Sequence, residues 1–150
     1  MDIYAYLRSD HRRIAKLVTE LLDIRLPAIR QTLFEQIRAE LSVHAAAEER
    51  TFYRTLVDAA RDQGVAEKMA RSEAEHDEIR ELLDVLSDTP VSSDFWLEKF
   101  GELKHAVEHH VQEEEGEVFE LAPTLLDRET ALRLGNDMDA LKTVLLLEPA

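Results

Sequence analysis

Apolar residues recur every three or four positions along most of this chain, the spacing of one buried helix face. A first stripe runs Tyr4, Leu7, His11, Ile14, Val18, Leu21; a second runs Leu33 or Phe34, Ile37, Leu41, His44, Glu48, Phe52, Leu56. A third follows as Val65, Met69, Ser72, His76, Ile79, Leu83, Leu86, and a fourth as Trp96, Phe100, Leu103, Val107, His110, Glu114, Val118, Leu121. Four glycines and four prolines in 150 residues leave little to interrupt helix. Ser9-Asp10 is a candidate break inside the first helix. Asp23 to Pro27 reads as a connection, because proline disfavours helix at the residue before it. Gly64 reads as the stop of the second helix, Ser87 to Asp94 as a loop whose Ser93 or Asp94 caps the fourth helix, and Pro123 as its end. A last segment with Leu132, Leu134, Met138, Leu141 and Leu145 reads as a short extra helix, weakened by Gly135 and Asn136. The expectation is an all-α, up-down-up-down four-helix bundle over about 3–123, with a C-terminal helical extension over about 128–147, in one domain of residues 1–150.

Each stripe is interrupted near its middle by a histidine, and two carry a glutamate one turn later. The sequence His44-Ala45-Ala46-Ala47-Glu48-Glu49 returns as His110-Val111-Gln112-Glu113-Glu114-Glu115, followed by Phe52-Tyr53 in one copy and Val118-Phe119 in the other. Upstream, Asp10-His11-Arg12-Arg13-Ile14 parallels Glu75-His76-Asp77-Glu78-Ile79 at nearly the same distance. The chain is one two-helix unit written twice.

Residues four apart share a helix face, and antiparallel packing brings the four midpoints to one depth. His11, His44, Glu48, His76, His110 and Glu114 then converge. Two buried carboxylates side by side repel and lose hydration; two cations relieve this, each taking two imidazoles while both glutamates bridge, at the roughly 3.5–4 Å usual for two-metal sites. Mixed nitrogen and oxygen donors with open positions suit iron, with manganese, zinc or cobalt as lesser alternatives. A single His–Glu pair at this spacing is often only a helix-stabilising contact; the doubled set in register on apolar stripes points to ligands.

A competing frame on the fourth helix, His105, His109 and Glu113, has the same spacing, but its face carries Glu98, Glu102 and Gln112 and lacks the apolar row. His105 and His109 are therefore expected at the surface or rim. Glu49, Glu113 and Glu115 are expected at the rim or behind the ligands, with Glu49 and Glu115 near enough to substitute for them.

Composition narrows the chemistry further. With 32 acidic and 18 basic residues the net charge is −14, which argues against nucleic acid or anionic membrane as partner, since binding there rests on neutralising phosphates. The absence of cysteine removes thiolate and iron–sulfur chemistry. Met1-Asp2-Ile3-Tyr4 carries no basic region followed by an apolar segment, so a cytoplasmic location is expected.

On these residues the chain resembles the hemerythrin-like (HHE cation-binding) domain family, whose repeat carries the same His…His-x-x-x-Glu pattern twice; the resemblance covers about 3 to 123. It implies a bundle around two non-haem iron ions that meets oxygen, peroxide or nitric oxide, with His11, His44, Glu48, His76, His110 and Glu114 in the ligand positions. Oxygen-carrying members have His-x-x-x-His on the third helix, where this chain has Ser72, and a bridging Asp five residues after the fourth-helix histidine, where this chain has Glu114 at four and Glu115 at five. The missing imidazole speaks against reversible oxygen storage and leaves room for peroxide or a second exogenous ligand. The leading expectation is a di-iron protein binding or sensing oxygen, nitric oxide or iron; the alternatives are a peroxide-decomposing (catalase-like) di-iron enzyme and, third, iron storage or detoxification. A protein partner is compatible with the sequence, which does not identify one.

Overall fold

A computed structural model of the chain describes residues 1–148. They form α1 (Ile3–Leu22), α2 (Pro27–Glu48), α3 (Arg54–Ala59), α4 (Gln63–Ser87), α5 (Asp94–Glu113), α6 (Phe119–Leu121) and α7 (Arg128–Leu147), with no strand among the described residues. α1, α2, α4 and α5 make the up-down-up-down bundle, and α7 packs along α1 and α2. No described helix is long and apolar enough to cross a membrane.

The helix ends follow local chemistry. Asp2, Asp62, Ser93 and Asp127 each accept a bond from the backbone N–H three residues on, at 2.8, 3.1, 3.1 and 2.8 Å, satisfying donors that a helix N-terminus leaves open. Pro27 opens α2, where its missing N–H costs nothing. One open point is decided and one boundary differs from the sequence reading. α1 runs unbroken through Ser9-Asp10. Gly64 does not stop the second helical run, which continues from α2 through residues 49–53 into α3 and ends at Ala59; it lies in the first turn of α4, started by the Asp62 cap.

Gly135 is a packing device within α7. A Cβ at that position would stand 2.2 Å from the Met1 carbonyl oxygen, so only glycine lets the helix press on the N-terminal segment. Ala131, Leu134 and Met138 are buried there, whereas Leu132 is 44% exposed.

Two apolar clusters fill the bundle. One gathers Ile3, Leu7, Phe52, Tyr53, Leu56, Met69, Val118, Phe119 and the buried face of α7. The other gathers Ile14, Val18, Phe34, Ile37, Leu83, Trp96, Phe100 and Leu103. Arg30 closes the far end: its guanidinium donates to the Ile24 and Val91 carbonyls at 2.8–3.2 Å, tying the 23–26 connection to the 88–93 one. Between the clusters, at mid-length of the four long helices, sit the buried polar groups.

Candidate metal centre

All six side chains singled out in the sequence are buried and meet at this level. Exposure is 6% for His11, 4% for His44 and His110, 2% for His76, 0% for Glu48 and 1% for Glu114. They form two adjoining groups, His11 and His44 with Glu48, and His76 and His110 with Glu48; within each group one donor atom per residue lies within 4.8 Å of the others. Glu114 faces both: Oε1 lies 3.3 Å from His11 Nε2 and Oε2 lies 3.5 Å from His110 Nε2. Glu48 Oε1 lies 3.1 Å from His76 Nε2 and 3.7 Å from His44 Nε2.

The outer nitrogens explain why every Nε2 points inward. His44 Nδ1 meets Asp10 Oδ2 at 2.6 Å, His110 Nδ1 meets Glu75 Oε1 at 2.8 Å, His76 Nδ1 meets Glu49 Oε2 at 2.7 Å and His11 Nδ1 meets Glu115 Oε2 at 2.7 Å. A carboxylate only accepts, so each Nδ1 carries a proton and each Nε2 is left facing the centre, free to give its lone pair to a cation there. The pattern obeys the sequence repeat. The acid preceding the histidine of α1 or α4 holds the histidine of the next helix; the acid after each central glutamate holds a histidine of the other unit. Arg80 binds Glu49 through both carboxylate oxygens at 2.9 and 3.1 Å, and Lys142 of α7 binds Asp10 at 2.6 Å.

The result is an enclosed set of acceptors with few donors. His11 Nε2, His44 Nε2, both Glu48 oxygens and Glu114 Oε1 are buried without a hydrogen-bond partner, and His76 Nε2 faces His110 Nε2 at 3.0 Å. Buried acceptors aimed at one another are costly unless protons or cations lie between them. In the metal-free protein protons take that place. Burial disfavours the charged imidazole, yet Glu114, Glu48 and Glu115 outweigh it and raise His11 to about 9. The same opposition, with Glu114 and Glu48, raises His110 to about 11; His76 is raised as well, against burial, by Glu48 and Glu49. Glu48, despite complete burial, is held well below the usual carboxylate range by His44, His110 and His76. The donor set, its orientation and its unpartnered atoms fit cations.

A feature the sequence reading missed shapes this geometry. At each central glutamate the helix widens into a π turn: Glu49–Tyr53 follows Glu48, and Glu114–Val118 begins on Glu114 itself. The N–H of Arg54 reaches back to the Glu49 carbonyl and that of Phe119 to the Glu114 carbonyl, five residues away. The extra residue turns two adjacent side chains inward, Phe52 with Tyr53 and Val118 with Phe119, all buried. Here the two units differ. Tyr53 stacks on His76 with ring centroids 5.4 Å apart, and its hydroxyl donates to Glu114 Oε2 and lies 3.4 Å from His110 Nε2. Phe119 brings no hydroxyl; its ring packs on Tyr4 and lies under the Arg8 guanidinium. Burial, with Glu48 and Glu114 nearby, holds the Tyr53 phenol well above its ordinary value.

The remaining candidates fall outside the centre. His105 is exposed, and His109, 57% exposed at its side chain, lies 3.3 Å from Glu113 and 3.5 Å from Glu75. Glu49 and Glu115 stand behind His76 and His11. Asp10, Glu75, Tyr53 and Lys142 were not anticipated; the parallel places of Asp10 and Glu75 before His11 and His76 were the available signal for the first two.

Above the four histidines lies a cavity of about 20 Å³, room for one molecule near the size of water. Its walls are mostly apolar, Ile14, Leu41, Ile79, Leu83, Val107 and Val111 among them, with Ser42 and Arg80 also on the lining.

The chain is 27% identical over 143 residues to a DNA nickase of a Nostoc species, a match covering 95% of this chain and 40% of that protein, so the chain spans less than half of that relative. The crystal structure of a hemerythrin HHE cation-binding domain-containing protein from Mycobacterium kansasii superposes with a TM-score of 0.84 at 25% identity, covering 97% of this chain and 88% of the other. Residues 2–122 match the hemerythrin HHE cation-binding domain, and the chain belongs to that family.

Proposed function

We propose that this chain is a non-haem di-iron protein whose carboxylate-bridged centre binds or senses a small molecule such as oxygen or nitric oxide. His11 and His44 would hold one ion and His76 and His110 the other, with Glu48 and Glu114, which face both pairs, supplying carboxylate oxygens. The observation that carries the reading is the convergence of unpartnered Nε2 and carboxylate oxygen atoms beneath an apolar cavity large enough for one diatomic or water-sized molecule. Nitrogen and oxygen donors without thiolate favour iron over softer-metal chemistry, with manganese or zinc as lesser candidates. Two such ions supply redox chemistry and Lewis acidity toward a bound oxygen species. The protein's residues orient the ligands, exclude bulk water and place one proton donor, Tyr53, on the His76–His110 side.

That donor favours a second reading, decomposition of hydrogen peroxide, in which the buried Tyr53 hydroxyl, donating to Glu114 and 3.4 Å from His110 Nε2, keeps a proton beside the centre. Iron storage ranks third. For this chain we propose no nucleic-acid contact, since a charge of −14 opposes it; the nickase activity is that of a much longer protein. A cytoplasmic location remains part of the proposal.

The test exposes the anaerobically reduced, iron-loaded protein separately to oxygen, nitric oxide and peroxide while its absorption spectrum and gas evolution are followed. A stable adduct with oxygen or nitric oxide supports binding or sensing, and sustained oxygen release from peroxide supports the enzyme. Inertness toward all three overturns both.

A further inference from the structure

We propose that Lys142 on α7 is a positioning residue for the His11–His44 half of the centre, acting through Asp10 on His44. Docking of α7 and metal occupancy are thereby coupled.

The inference rests on the metal-binding reading above and on an inequality between the two units. Three of the four carboxylates behind the histidines, Glu49, Glu75 and Glu115, are only partly buried. Glu49 takes its countercharge from Arg80, one turn beyond His76 on α4. Asp10 differs: it is 8% exposed, and its cationic hydrogen-bond partner comes from outside the doubled unit. Lys142 Nζ donates to Asp10 Oδ1 at 2.6 Å while Asp10 Oδ2 takes His44 Nδ1 at 2.6 Å. One carboxylate thus joins a helix of the extension to the imidazole, one oxygen to each.

The register of α7 is set along a single stripe. Gly135 abuts the Met1–Asp2 backbone, Met138 Sδ lies 3.7 Å from Thr51 Oγ1 in the first π turn, Asp139 accepts from the Tyr6 hydroxyl at 3.0 Å, and Lys142 reaches Asp10. Lys142 also lies 5.3 Å from the centre of the Tyr6 ring. Residues 135, 138, 139 and 142 share one helix face, so sliding or lifting α7 breaks the Lys142–Asp10 contact together with the others. Asp10 would then be a buried carboxylate without its ammonium partner, drawn toward solvent and away from His44. Losing the group that orients a ligand histidine typically weakens metal binding about 10–100-fold. Linkage is reciprocal: an ion that fixes His44 and Asp10 also stabilises the docked α7.

The experiment titrates ferrous iron anaerobically into the full chain and follows hydrogen exchange of α7 amides with and without iron. In the wild type, iron slows exchange in the second half of α7 by about tenfold or more. Lys142→Met weakens one of the two iron-binding steps by about tenfold and removes the response of α7 to iron; Lys142→Arg restores most of both. Asp10→Asn produces the same weakening, and the double variant adds little to either single one; this variant also decides the matter if Lys142→Met does not fold. Lys68→Met, which removes a surface pair with Glu117, changes neither readout. Two unaltered binding steps in both Lys142→Met and Asp10→Asn, with α7 still responding to iron, overturn the proposal and leave the di-iron reading standing. A wild type that takes up no iron overturns both.

Discussion

Glu115 Oε2 stands 2.7 Å from Nδ1 of His11, joining the last turn of one repeat to the first helix of the other across 104 residues. Its counterpart, Glu49, does the same for His76. Glu49 and Glu115 therefore belong behind the histidines and fix their tautomer. Glu115→Ala and Glu49→Ala are expected to fold, to keep the ability to bind two ions, and to bind one of them about 10–100-fold more weakly. Competition with a metal chelator reads this directly. Complete loss of one ion at saturating metal would instead identify these glutamates as ligands.

Removing an inward-facing group has a larger effect. His44→Ala and Glu114→Ala are expected to lower metal content to well below two ions per chain, because each deletes a donor. Both variants should also unfold more easily, since each opens a cavity and strands a buried partner, Asp10 Oδ2 in one and the Tyr53 hydroxyl in the other. His109→Ala is expected to keep full metal content, as that side chain is 57% exposed. Elemental analysis of the three proteins distinguishes the inward frame from the competing one.

Metal-free protein is expected to lose stability in alkali. His11 and His110 titrate near 9 and 11 when folded and near 6.5 when unfolded. Their contribution is full below about pH 6.5, declines as the pH rises above that, and disappears through the folded values. Thermal midpoints of the metal-free chain should therefore fall between about pH 7 and 9.5. With metal bound, the Nε2 atoms hold ions in place of protons, so that slope should flatten, and affinity for metal should rise with pH because binding releases protons. Identical slopes with and without metal would refute this.

Gly135→Ala is expected to destabilise the chain by about 1–3 kcal/mol, the usual cost of forcing atoms into a packed contact. The new methyl carbon would stand 2.2 Å from the Met1 carbonyl oxygen. A thermal midpoint equal to the wild type's would show that the N-terminal segment moves aside freely.

The bundle and the centre were legible in the sequence for one reason. A helix face repeats every 3.6 residues, and a polar residue standing on an otherwise apolar face has to be explained by what it binds. His11, His44, Glu48, His76, His110 and Glu114 all stood out in that way. The π turns did not, because widening by one residue leaves no gap in an apolar stripe. Phe52-Tyr53 and Val118-Phe119 are adjacent apolar pairs with both members buried, and that adjacency was the only trace. Asp10 and Glu75 occupy matching places in the repeat, but nothing in their spacing says that they reach across to another helix. Lys142 is separated from Asp10 by 132 residues, and no periodicity links them. Gly64 misled because glycine suits both ends of a connection; the Asp62 cap decides which helix it joins.

The central claim is that four imidazoles and two carboxylates hold two iron ions. The most direct measurement is the iron content of protein reconstituted with ferrous iron, air-oxidised and desalted, together with its near-ultraviolet spectrum. About two irons per chain and an oxo-bridged ferric band are expected, both lost in His44→Ala. A wild-type chain that folds and retains no metal after loading would contradict it.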